Sequence, residues 1–144
     1  MPARRRALLL GSVALAAGAS LAVPAVVAAP PAKPVTITMG KGTPFQTSVA
    51  PKAPTAGRFA FTLRNRGSLR HEAVILRTNI RYDKLPVRNG RAVETGRRGA
   101  IRNVPGGRAG KLTIALPAGK YVIICNLPGH YVGGMRTPFT VRRA

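Results

Sequence analysis

Six short apolar runs, separated by turn residues, constrain the fold of this chain more than any other feature. The clearest is RFAFTLR at 58–64, where Phe59, Phe61 and Leu63 fall on one face of a strand because every second residue is apolar. Such runs, bounded by glycine and proline, are typical of strands. Together they predict an all-β sandwich in one domain. The six predicted strands are 35–39, 58–64, 73–76, 111–116, 121–125 and 139–141.

The first 28 residues have the composition of an export signal. A basic cluster, Arg4 to Arg6, precedes an uncharged apolar run at 7–23, and small residues at 26–28 suit cleavage after Ala28. We therefore predict a signal peptide over 1–28 and a bacterial protein exported to the periplasm, cell envelope or medium. Two alternatives stay open: a twin-arginine signal, which the arginine pair matches in part, and an uncleaved apolar anchor.

The segment after the signal peptide contains three prolines in five residues, at 30, 31 and 34. Proline at this density excludes a helix and predicts a stiff linker over 29–34. The folded domain is then expected over 35–144. Inside it, the stretch 82–110 is rich in glycine, proline and arginine and is predicted to be a long excursion between strands.

The charge of the chain is strongly positive, with 24 Lys and Arg against three Asp and Glu, a formal +21. Removing Arg4, Arg5 and Arg6 with the signal leaves 21 basic residues and a charge of +18. A GC-rich genome also favours arginine, but the charge attracts acidic proteins or anionic membrane and wall surfaces whatever its origin. No aromatic and basic surface motif points to specific nucleic-acid binding.

Cys125 is the single cysteine of the chain, so it cannot form an internal disulfide. It can be a free thiol, an intermolecular partner or a metal ligand. The only two histidines are His71 and His130, and His71 lies at the start of a predicted strand. If that strand neighbours the one that ends at Cys125, the imidazole comes close to the thiol.

The residues after Cys125 place two further donors at equal intervals, in the order Cys-x4-His-x4-Met with His130 and Met135. The turn pairs Pro128-Gly129 and Gly133-Gly134 allow the backbone to fold these side chains back toward one point. Thiolate, imidazole and thioether form a soft donor set that suits copper, and two histidines with one cysteine and a weak axial methionine define the electron-transfer copper site. A lone buried cysteine, an exposed histidine and a core methionine are the alternatives for each residue taken alone.

At this point the chain resembles a known family. The segments LPAGKY at 116–121 and CNLPGHYVGGM at 125–135 are similar to the C-terminal copper-binding stretch of the plastocyanin/azurin superfamily, the cupredoxins. NRGSLRHE at 65–72 resembles the upstream ligand segment of that family. The Cys-x4-His-x4-Met spacing is closest to the rusticyanin-like and phytocyanin-like members. Many members place asparagine after the first histidine ligand, whereas this chain has Glu72.

The resemblance implies a Greek-key β-sandwich that holds one type 1 copper ion near one end. It implies that His71 and His130 bind through ring nitrogens, Cys125 as a thiolate and Met135 as a weak axial ligand. It also implies that the edge of His130 is the electron port. An apolar rim around this port is then expected from Leu127, Pro128, Tyr131 and Val132.

The expected function is that of an electron carrier, a monomer that meets acidic redox partners. An enzyme is disfavoured because two histidines cannot supply the extra copper sites of an oxidase, and Glu72, Asp83 and Glu94 form no evident acid–base pair. Three alternatives stay open. They are a copper-delivery or copper-resistance protein, a basic interaction module without a redox role, and zinc in the same ligands.

Overall fold

The structure is a computed structural model that describes residues 28–144. The predicted signal peptide lies outside the described residues, apart from Ala28. No helix occurs in the described range, so none of these segments is a helix that could cross a membrane. The strands of residues 28–144 are, in chain order, β1 (Lys33–Met39), β2 (Thr47–Ala50), β3 (Gly57–Asn65), β4 (His71–Arg77), β5 (Val87–Arg88), β6 (Arg91–Ala92), β7 (Arg97–Val104), β8 (Ala109–Leu116), β9 (Gly119–Ile124) and β10 (Arg136–Val141).

Two four-stranded sheets form a sandwich. The first has the order β2-β1-β3-β8 and the second the order β10-β9-β4-β7, while β5 and β6 form a small hairpin. Strands β1 and β3 are parallel, and the remaining ladders are antiparallel. The chain changes sheet between β3 and β4, between β7 and β8 and between β8 and β9, as in Greek-key sandwiches. The predicted all-β sandwich is thereby confirmed.

Alternate side chains of both sheets fill the space between them. On β3, Phe59, Phe61 and Leu63 all point inward and are at most 1% exposed, as the alternation predicts. Phe139 of β10 packs edge-on against both phenylalanines, with ring centroids 6.2 Å and 5.7 Å away. Truncating a core phenylalanine to alanine typically lowers the free energy of unfolding by about 3–5 kcal/mol. This aromatic cluster therefore holds the two sheets together.

The two central strands of the second sheet, β4 and β9, are buried on both faces. Every residue of β4 from His71 to Leu76 is buried. The outer side chains of this sheet, such as Val74 and Leu76, pack under Leu85 and Ala92 from the chain between β4 and β7. The connection that covers this face therefore belongs to the folded core.

All six predicted strands are present, with boundaries that differ by at most three residues. The linker was predicted to extend to residue 34, whereas β1 already begins at Lys33, so that boundary is wrong by two residues. The physical reason is that Lys33 and Pro34 lie beside Phe59 and Ala60 of β3. The Lys33 ammonium also donates to the carbonyl of Thr55 at 2.8 Å.

The expected long excursion over 82–110 is the larger correction, because it contains the β5–β6 hairpin and the eight-residue strand β7. The hairpin turns at Asn89 and Gly90, which both have positive φ angles, 50° and 75°. Strand β7 lies at the edge of its sheet and carries exposed arginines. Only Ile101 and Val104 of this strand are buried, so its sequence shows no apolar alternation.

Candidate metal centre

The pairing of β4 with β9 brings the predicted ligands together. These antiparallel neighbours pair Val74 with Ile124, so the beginning of β4 lies beside the end of β9. His71 is the first residue of β4, and Cys125 directly follows β9. The expectation that two neighbouring strand ends join these residues is confirmed.

Three donor atoms converge at this point. The Cys125 Sγ lies 3.8 Å from His71 Nδ1 and 3.4 Å from His130 Nδ1. The ligand atoms of His71, Cys125 and His130 all lie within 4.8 Å of one another. His71 and Cys125 are fully buried, whereas His130 is partly exposed. One edge of the cluster therefore faces solvent.

The loop from Cys125 to Met135 closes on itself through backbone hydrogen bonds. The Cys125 amide donates to the Met135 carbonyl at 3.0 Å, and the Met135 amide donates to the His130 carbonyl at 3.0 Å. Gly129 and Gly134 adopt positive φ angles of 81° and 112°, which glycine alone adopts without strain. Met135 is completely buried and belongs to the same core cluster as Cys125. The loop thus carries three of the four predicted ligands on one short, fixed turn.

Tyr131 anchors this loop from inside, and its prediction as part of an exposed rim is wrong. Its side chain is 2% exposed and packs on the outer face of the second sheet. Its hydroxyl accepts a hydrogen bond from the Leu85 amide and donates to the Tyr82 carbonyl, both at 2.9 Å. The physical reason is that the covering segment offers two backbone groups, the buried Leu85 amide and the partly buried Tyr82 carbonyl, to the Tyr131 hydroxyl, which needs polar partners when buried.

Two of the other three predicted rim residues face solvent, whereas Leu127 packs against the core. Val132 is 59% exposed, Pro128 is exposed, and Leu127 is half-buried. Phe45 joins them, because its ring packs edge-on against His130 with centroids 5.2 Å apart. Nothing in the sequence pointed to Phe45, because it lies in the turn before β2 and is distant along the chain from the other rim residues.

Burial controls the protonation of the donors. It lowers the pKa of His71, with a further contribution from the charge of His130, and it lowers the pKa of His130. Burial raises the pKa of the Cys125 thiol, although the amides of Glu72 and Leu127 oppose that shift. The imidazoles are therefore ready to bind as neutral ligands, and a metal ion must displace the thiol proton.

The donor set fits a first-row metal ion. Bonds of about 2.0 Å to nitrogen and 2.3 Å to sulfur, at tetrahedral to trigonal angles, separate the two atoms by about 3.5–3.7 Å. The separations of 3.4 Å and 3.8 Å in the structure bracket this range. Apart from the sulfur, neither Nδ1 has a hydrogen-bond partner among the described residues. The spacing and the free nitrogens thus suit an ion between the three side chains.

Glu72, at the position where the family often has asparagine, contributes through its backbone. Its amide donates to Cys125 Sγ at 3.4 Å. Its carboxylate turns away and accepts from Arg102 at 2.9 Å. The sulfur thus receives one hydrogen bond from β4, and the carboxylate is compensated by an arginine of β7.

No protein-family model and no curated protein matches this chain. Several solved structures are similar to this chain. Auracyanin B is 21% identical with a TM-score of 0.57, over 81% of this chain and 93% of that one. Rusticyanin from Thiobacillus ferrooxidans is 23% identical with a TM-score of 0.55, over 76% of each chain. Auracyanin A, a "blue" copper protein from Chloroflexus aurantiacus, is 20% identical with a TM-score of 0.54, over 76% of this chain and 99% of that one.

At these identities the likeness shows the fold. The chain has the cupredoxin fold, as its resemblance to that family implies. Its His71, Cys125 and His130 side chains converge at one end of the sandwich, where Met135 closes the loop.

The cluster predicts metal-dependent stability. Zinc, a redox-silent probe, at about a thousand times its dissociation constant should raise the free energy of unfolding by about 4 kcal/mol, because the donors converge only in the folded state. The Cys125→Ala variant lacks one of the three donors, so most of this zinc-dependent stabilisation should vanish. The Ser68→Ala variant changes an exposed residue outside the donor set and should keep the full stabilisation. Denaturant unfolding with and without zinc measures the difference, and equal stabilisation of both variants would show that zinc binds elsewhere.

Proposed function

We propose that this protein is an exported mononuclear type 1 copper protein that carries single electrons. The observation that carries the proposal is the convergence of one thiol and two imidazole nitrogens, all within 4.8 Å, on a cupredoxin scaffold. His71, Cys125 and His130 would hold the ion, and Met135 would be the weak axial ligand. A copper ion bound there would alternate between Cu(I) and Cu(II) and so store one electron.

The protein holds these donors in fixed positions. His71 and Cys125 are tied to strands with completely buried side chains. The loop that carries His130 and Met135 is closed by its own backbone hydrogen bonds and anchored by the buried Tyr131. Fixed ligands favour fast electron transfer because little rearrangement accompanies a change of charge.

The exposed edge of His130 is the proposed electron port. The apolar surface beside it consists of Leu127, Pro128, Val132 and Phe45. Such a surface allows a partner to approach closely without desolvating charged groups. Small and short-lived contacts of this kind are typical of electron-transfer complexes.

The ion pairs of the acidic residues favour an electron carrier over an enzyme. Glu72 and Glu94 bind Arg102, and Asp83 binds Arg81. All three carboxylates of the sequence are therefore in ion pairs, and the sequence contains only two histidines. The chain offers no carboxylate free for acid–base chemistry and no imidazoles for a second copper site.

A reversible one-electron couple is the direct consequence of a carrier role. On an electrode, the copper-loaded protein should give a reversible wave and keep its copper through repeated cycles, whereas the zinc-loaded protein should give none. An excess of a Cu(I) chelator distinguishes the alternative of copper delivery. A carrier should lose copper over hours, and loss within seconds to minutes would contradict the carrier function and favour delivery.

Acidic redox partners are proposed from the charge. The described residues carry 21 of the basic side chains and all three acidic ones. Near the port, Lys41 and Arg66 line one depression, which shares Gly42 with the depression beside His71. A positive surface at this end attracts anionic partners and speeds their association at low salt.

The electron-transfer rate should therefore depend on salt in opposite directions for anionic and cationic reagents. With hexacyanoferrate(II), the rate should fall about tenfold between low and high salt, and with hexaammineruthenium(II) it should rise. Stopped-flow mixing measures both. The double reversal Lys41→Glu with Arg66→Glu should reduce the anionic preference more than Lys52→Glu with Lys120→Glu at the opposite end. Equal effects of the two reversals would contradict docking at the port.

Export is proposed from residues 1–28 alone. A mature chain that begins at Ala29, recovered from the cell envelope or medium, is the expected product. The measured mass of the native protein tests it, because an intact N-terminus would indicate an anchor.

A further inference from the structure

The two ligand segments, β4 with His71 and the loop that begins at Cys125, stop pairing with each other before they reach the site. The ladder between β4 and β9 ends at Val74 and Ile124. Beyond it, the Glu72 amide donates to the Cys125 sulfur at 3.4 Å. The contacts of Glu72 on its β7 side therefore decide how this amide is held.

A β-bulge lies at this position on the other side of β4. His71 pairs with Val104 and Ala73 pairs with Ile101, so two residues of β7, at 102 and 103, lie opposite Glu72 alone. Bulges redirect side chains and are frequent beside functional sites. Here the bulge aims the Arg102 guanidinium at the Glu72 carboxylate, with Nη1 donating to Oε1 at 2.9 Å.

Arg102 also links Glu72 to the second ligand segment, the loop that begins at Cys125. Its Nη2 donates to both oxygens of Glu94, at 3.1 Å and 2.9 Å. Glu94 Oε1 in turn accepts from Asn126 Nδ2 at 2.9 Å, and Asn126 directly follows Cys125. A chain of four side chains, Glu72, Arg102, Glu94 and Asn126, therefore joins the residues next to two of the predicted ligands.

The burial of Glu72 distinguishes this pair from an ordinary surface ion pair. Its side chain is 3% exposed, against 36% for Arg102. A buried carboxylate requires a partner, and removing only the partner leaves an uncompensated charge. Without Arg102, that negative charge would act on the nearby thiolate.

We propose that Glu72 and Arg102 are a positioning pair that holds the Glu72 amide on the Cys125 sulfur and neutralises the carboxylate beside it, and thereby sets the reduction potential of the metal. The inference rests on the proposed copper function. Glu72 and Arg102 act through Cys125 and touch no substrate. Arg97 provides a matched control, because it also binds Glu94, at 3.1 Å, and lies on the same strand but is not bonded to Glu72.

The test is a double-mutant cycle on the copper-loaded protein, read as reduction potential. Glu72→Gln removes a negative charge and should favour Cu(I), which raises the potential. Arg102→Gln uncovers the carboxylate and should favour Cu(II), which lowers it. Each shift should correspond to about a tenfold change in the equilibrium constant, which is about 59 mV for one electron. The double variant Glu72→Gln with Arg102→Gln should return close to the wild-type potential.

Two further variants separate charge from general damage. Arg102→Lys keeps the charge and should recover most of the lost potential, and Arg97→Gln should shift the potential much less than Arg102→Gln. Shifts of Glu72→Gln and Arg102→Gln in the same direction, or equal shifts in Arg97→Gln and Arg102→Gln, would overturn the proposal.

The metal-free protein gives an independent readout. Hydrogen exchange at the Glu72 amide should become at least tenfold faster in Arg102→Gln and stay unchanged in Arg97→Gln. Unchanged exchange in Arg102→Gln would overturn the positioning role even if copper binds as proposed. If the wild type takes up no copper, the proposed function fails while this measurement still tests the pair.

Discussion

The antiparallel pairing of β4 with β9 is the constraint on which the rest of the structure depends. It places the beginning of one strand beside the end of the other, and His71 and Cys125 occupy those two positions. Because side chains alternate between the two faces of a strand, a slip of one residue would turn His71 away from the sulfur. The same slip would exchange the inner and outer apolar side chains of β4, which pack against different partners. Core packing and site geometry are therefore specified by one ladder.

The site is preorganised by contacts that lie outside the donor set. Tyr131 fixes the loop between His130 and Met135 by bonding to the segment that covers the second sheet. On the opposite side of the site, Arg102 donates to the Glu72 carboxylate. The backbone amide of Glu72 in turn donates to the Cys125 sulfur. Every acidic side chain of the sequence is paired with arginine. The three acidic side chains are therefore all engaged in ion pairs, and most of the basic residues have no acidic partner.

Local patterns predicted the sandwich and the convergence of its donors, because alternation at 58–64 and the Cys-x4-His-x4-Met order are properties of neighbouring residues. The covering segment and β7 depend on tertiary contacts and were not predicted. A signal was present: the apolar runs 73–76 and 121–125 do not alternate, which is typical of strands buried on both faces and so requires a cover. The inward position of Tyr131 and the pairing of Glu72 with Arg102, 30 residues apart, follow from no spacing rule. They arise from buried polar groups that need partners and from a bulge on β7.

The visible absorption spectrum of the protein with Cu(II) tests the central claim most directly. Binding by the Cys125 thiolate and two imidazoles predicts an intense thiolate-to-copper band in the blue or green region, and its loss in Cys125→Ser. A folded protein that stays colourless and takes up no copper in either oxidation state would contradict the type 1 site. In that case, the strong positive charge would be the remaining functional feature of the chain.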